Sequence, residues 1–156
     1  MNPQSKLMLD ATQSAGSATA AGTYTSPNID TLDVDFLTID VSATTQAAST
    51  QAGSPSLLKL QESETTIASS FVDVVGFRGG SATGSVTDFV IGIGKTSGQN
   101  AYKLNVNCVS GMRKRYLNVV ASPTTTQTFH VTANGFNCWQ VPNTAAKAGV
   151  LSLIEG

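Results

Sequence analysis

Few side chains in this chain of 156 residues have the types and spacing to do chemistry. One histidine, two cysteines and 12% charged residues leave little from which convergent acids, bases or metal ligands could be built. Gly94-Lys95-Thr96 resembles the end of a phosphate-binding loop, but that loop needs a glycine where Phe89 stands. Ser97-Gly98-Gln99-Asn100 does not open the helix such a loop requires, so the segment reads as a turn. His130 lies between Phe129 and Val131, which sends it to the opposite face of a strand among Thr128 and Thr132. No acid, serine or cysteine near it in sequence forms a triad, and it reads as a surface or interface residue.

The carboxylates and cysteines give the same answer. Asp33 and Asp35, in the acidic run with Asp30 and Asp40, share one face at strand spacing, but the glycine-bearing calcium loop is absent. They read as solvated charges that discourage strand stacking. Glu62 and Glu64 fall in a polar turn that gives no reason for the raised acid of a glycosidase pair. Neither Cys108 nor Cys138 has a second ligand at zinc spacing. Both read as buried free thiols, with a single disulfide as the alternative. Trp139 has no companion aromatics for a sugar-stacking platform and fits core or interface. Arg113-Lys114-Arg115 is the sole basic cluster, suited to a charged hairpin entrance or to docking on an acidic protein neighbour. The expectation is a chain with no catalytic residue, no cofactor and no metal site.

The elements that must position these residues are strands. Tyr102, Leu104, Val106 and Cys108 alternate with the polar Lys103, Asn105 and Asn107, and Phe129 and Val131 repeat that pattern. Leu32 to Val41 changes apolar parity midway, which predicts a bulge near Phe36 and Leu37 or a strand buried on both sides. Leu57 to Leu60 and Phe71 to Val75 make two further strands, and Gly76 to Gly80 reads as a flexible loop. Thr87 to Ile93 resumes the alternation. Tyr102 to Cys108, Tyr116 to Ala121 and Thr128 to Ala133, joined at Ser110-Gly111 and Ser122-Pro123, read as an antiparallel meander. Asn134-Gly135 then signals a hairpin leading into Phe136 to Val141. Thr144 to Gly149 predicts a short helical connector, and Val150 to Ile154 a last strand.

These elements predict an all-β fold: a jelly-roll-like antiparallel β-sandwich with at most one short helix. The polar residues 1–28 form an amino-terminal arm or edge segment, and residues 29–156 form a single sandwich domain. A net charge of −1 argues against nucleic acid as a partner. Leu7-Met8-Leu9 is too short an apolar run for a signal peptide or a membrane span, so a soluble protein made in the cytoplasm is expected.

Four stretches carry a resemblance. They are Ile29 to Val41 (IDTLDVDFLTIDV), Leu57 to Ser63 (LLKLQES), Arg113 to Leu117 (RKRYL) and Ala145 to Val150 (AAKAGV). Read together they resemble small virion proteins of tailed phages, cyanophages among them, of the capsid decoration or cement type. That resemblance implies a jelly-roll-like fold and a structural role on the outside of a phage head, commonly as homotrimers bound to the major capsid protein. It implies no small-molecule substrate. Within that role, Met1, Lys6, Leu7 and Leu9 of the arm and Arg113, Lys114 and Arg115 are the candidate capsid or subunit contacts. A tail or baseplate component and a carbohydrate-binding β-sandwich are the alternative readings.

Overall fold

The computed structural model describes residues 5–10, 14–19, 22–45, 55–80, 88–91, 98–109 and 111–137. The strands are β1 (Ser5–Leu9), β2 (Gly16–Ala18), β3 (Tyr24–Thr25), β4 (Ile29–Asp30), β5 (Phe36–Thr45) and β6 (Pro55–Ser63), then β7 (Val72–Gly80), β8 (Phe89–Val90), β9 (Gly98–Asn107), β10 (Tyr116–Pro123) and β11 (Gln127–Phe136). Among the described residues the one helical element is a 3-10 turn at Ala68–Ser70. None of their helices is long and apolar enough to cross a membrane.

Two sheets pack face to face. The first has the order β1-β11-β5-β9, with β2 also on β11; the second has β3-β10-β6-β7-β8, with β4 also on β10. All pairs are antiparallel except the short β7–β8 pair. Strand β6 pairs with β7, β5 with β9, β3 and β4 with β10, and β1 with β11. The chain therefore doubles back as one long ribbon closed at β6–β7, and successive rungs fall in alternate sheets. That winding is a jelly roll.

Alternation explains which residues meet inside. Leu37, Ile39 and Val41 on β5, Leu104 and Val106 on β9, and Phe129, Val131 and Ala133 on β11 face the second sheet. Leu58 and Leu60 on β6, Val74 on β7, and Leu117, Val119 and Ala121 on β10 meet them. The residues before Ile29 share this core: Leu9, Ala18 and Tyr24 are buried, and the Tyr24 ring stacks on Phe129 at 5.1 Å. Tyr24 also donates its hydroxyl proton to the Ser14 carbonyl at 2.5 Å.

Several local expectations are corrected by the tertiary structure. The parity change after Leu32 is a crossing between sheets, because Ile29–Asp30 pairs with β10 whereas β5 pairs with β11 and β9 in unbroken register from Phe36. A turn at Leu32-Asp33 makes the crossing, with Asp33 at φ 64°. The Gly76–Gly80 segment is the second half of β7 rather than a loop. A large bulge precedes that half: Gln61 pairs with Asp73 while Lys59 pairs with Arg78, and Gly76 at φ 92° supplies the bend.

The meander is also corrected. Strands β9, β10 and β11 alternate between the sheets and do not pair with one another, since a period of two is the same for a hairpin and for a sandwich crossing. Asn134-Gly135 lies inside β11, opposite Thr38 and Leu37. Gly135 is needed there for space, because a Cβ would sit 2.9 Å from Val34 Cγ1. The expected helix at 144–149, the strand at 150–154, and Cys138, Trp139, Gly94 and Lys95 lie outside the described residues.

Candidate functional site

One end of the sandwich brings Asp33, Asp35, Glu64, Arg113 and Arg115 together with the exposed apolar Leu32 and Met112. It is built from the crossover 31–35 between β4 and β5, the turn after β6, and the 108–115 connection between β9 and β10. A groove of about 430 Å³ runs between them, lined by Thr31, Leu32, Asp33, Val34, Asp35, Glu64, Cys108, Gly111, Arg113 and Arg115. Its walls are tied by backbone bonds: the Thr31 N–H and hydroxyl both donate to the Arg115 carbonyl at 2.9 and 2.8 Å. The Cys108 N–H donates to the Asp35 carbonyl at 2.7 Å. Asp33 at positive φ closes the turn in which the Val34 N–H donates to the Thr31 carbonyl.

The basic cluster behaves differently from an open positive patch. Arg115 makes a two-pronged bond to Asp30, Nε to Oδ1 at 2.9 Å and a terminal nitrogen to Oδ2 at 2.7 Å, and its guanidinium lies 5.0 Å from the Tyr116 ring centre. This contact holds the Asp30 carboxyl below the usual range and the Arg115 guanidinium above its own. Arg113 donates from Nη1 to the Met112 carbonyl at 3.1 Å, while its buried Nε has no hydrogen-bond partner among the described residues. Lys114 is half-buried, and its N–H donates to Glu62 Oε2 at 3.3 Å.

The remaining expected contacts are scattered. Lys6 and Leu7 lie on edge strand β1, opposite Gly135 and Asn134, and Leu9 is a core residue at 4% exposure with no surface to offer. Met1 is outside the described residues. His130 is half-buried on β11 opposite Ser42. Sequence reasoning missed the apolar rim, where Leu32 and Met112 are 54% and 61% exposed and Phe36 and Val109 are also open to solvent. Parity alone places Leu32 on a strand face, and the signal that could have shown otherwise is Asp33, a residue type that tolerates the left-handed conformation it adopts here.

Chemically the groove holds carboxylates, guanidiniums and one thiol. Burial pushes the Cys108 thiol up to about 11, so at neutral pH it is protonated and a poor nucleophile. Among the described residues no group of three or more His, Cys, Asp or Glu is placed to hold a metal ion. Mixed charge with a partly apolar rim suits contact with another macromolecule.

No protein-family model and no curated protein matches the chain. Among solved structures it is similar to a family GH115 4-O-methyl-α-glucuronidase with specificity for decorated arabinogalactans, at 7% identity and a TM-score of 0.39. The likeness covers 86% of this chain and 16% of that one.

Proposed function

We propose that this protein is a non-enzymatic virion component that binds the outside of a phage capsid and stabilises it. The observation that carries the reading is convergence. Three of the four stretches that resemble phage decoration proteins meet at the grooved end: Ile29 and Asp30 pair with Leu117 and Tyr116, which pair in turn with Glu62 and Ser63. A resemblance scattered along 89 residues of sequence, from Ile29 to Leu117, thus falls partly on neighbouring strands beside the groove, with Ile29, Leu117 and Ser63 buried and Asp30, Glu62 and Tyr116 partly open to solvent. The jelly-roll winding supports it by analogy of fold, since this architecture recurs in viral capsid and lectin domains.

The mechanism is avidity. A homotrimer at a local threefold position touches several shell subunits at once, so each later contact is intramolecular and individually weak patches sum to tight binding. Bound protein stabilises the shell because it favours the assembled state over the dissociated one. Purified protein added to bare expanded heads should bind to a saturable level and raise the temperature at which they rupture. A protein that leaves that temperature unchanged, or that labels tails or glycans instead, overturns the reading.

A further inference from the structure

Strand β7 is guarded along one half of its outer edge and open along the other. From the bend at Gly76 onward the edge is closed: Asp88 Oδ2 accepts the Gly76 N–H at 2.6 Å and the Arg78 N–H at 3.1 Å, the Asp88 N–H donates to the Arg78 carbonyl at 2.7 Å, and β8 pairs with Gly79 and Gly80. Before the bend, Val72 and Asp73 pair with Glu62 and Gln61 on β6, and among the described residues no strand pairs with Val72 to Val75 on the far side. Val75 is 73% exposed and Val72 48%, so this half of the edge stands open to solvent. Open edges are ordinarily blunted by lysine, proline or an unpaired charge, because their free N–H and C=O groups are a template for another chain. Here the one charge, Asp73, is already taken by Lys59 at 2.7 Å and Gln61 at 2.8 Å, and the open side chains are valines.

We infer that Val72 to Val75 is the site at which an extended, apolar segment of the shell protein adds to the second sheet as a further strand. This inference rests on the capsid-binding reading and adds the partner's chemistry to it. Backbone pairing along the open edge supplies the affinity, and alternate apolar side chains set beside Val72 and Val75 supply the specificity. Continuity with the grooved end favours the shell as the occupant. Val72 lies opposite Glu62, at the end of the sandwich where the connection from β6 to β7 brings Glu64 into the groove lining and leaves Ile67 exposed. Self-pairing of two copies is disfavoured by size. The bend at Gly76 ends the open edge after Val75, and so short a contact falls far below the roughly 800 Å² per partner of a stable interface. A shell subunit that also covers the grooved end has no such shortfall.

The test follows amide hydrogen exchange of the full chain, free and bound to expanded heads. Alternate amides from Val72 to Val75 should exchange about tenfold more slowly in labelled heads than in the free protein. Val75→Lys places a charge on the open edge without touching the core, and should weaken head binding about tenfold at an unchanged urea midpoint. Val75→Thr keeps a branched, strand-forming side chain and should bind like the wild type. If Val75→Lys lowers the midpoint, exchange in the wild type decides. Unchanged exchange at Val72 to Val75 in labelled heads, or full-strength binding by a folded Val75→Lys, overturns the inference and leaves the capsid reading standing. Exchange that slows in the free protein as its concentration rises also overturns it, because the occupant would then be a second copy. Heads that the wild type never labels remove both.

Discussion

Cys108 shows how strongly position governs reactivity. At pH 8 a thiol with the ordinary pKa of 9.0 is about one-tenth thiolate, whereas one pushed up to about 11 is about one-thousandth thiolate. Alkylation at Cys108, mapped by mass spectrometry, should therefore run about a hundredfold slower in the folded protein than in denaturant. Equal rates would mean that the thiol is not held at the core's edge. Arg115 makes the complementary point about charge. Its neighbours in sequence advertise a positive patch, yet its partner Asp30 lies 85 residues away, and no local pattern could have revealed that pairing.

At the scale of elements, the alternating runs were legible and their partners were not. Tyr102 to Asn107, one residue short of the expected Cys108, and Thr128 to Ala133 fall in strands β9 and β11 because alternation reports one buried face. Alternation does not report which sheet a strand joins, so the β9-β10-β11 crossings looked like a meander. Glycine was ambiguous for a similar reason: Gly135 looked like a turn residue, but it is the gap in β11 that accepts Val34 from the crossover. Gly135→Ala should cost about 1–3 kcal/mol in urea denaturation, and shortening Val34 to Ala in the same chain should recover part of that loss. An unchanged midpoint would remove this packing account. Strand β1 belongs to the fold for a like reason. Deleting Met1 to Leu9 removes Leu9 from the core and uncovers an edge of β11, so it should lower the urea midpoint.

The whole molecule carries a pH signature. Asp30 is held below the carboxylate range by Arg115, and Asp88 by Arg78; Asp73, against the opposing effect of burial, is held down by Lys59 and Gln61. The stability these groups add is present above their ordinary 3.8 and is lost as pH falls through the lower folded values. Tyr24 and Cys108 are raised by burial, from 10.0 and 9.0, so the stability linked to their neutral forms is present below pH 9 and is lost as pH rises. The urea midpoint should be level between roughly pH 5 and 8 and fall on both sides. A midpoint that climbs from pH 8 to 10 would contradict the burial of these two groups.

The proposed role also belongs to this scale, because only an assembled particle contains the partner. Electron cryomicroscopy of expanded heads incubated with the protein tests it most directly. We expect trimeric density at symmetric, saturable positions, with the end formed by Thr31 to Asp35 and Cys108 to Arg115 turned toward the shell. Bare heads, or bound density with that end facing solvent, would contradict the account.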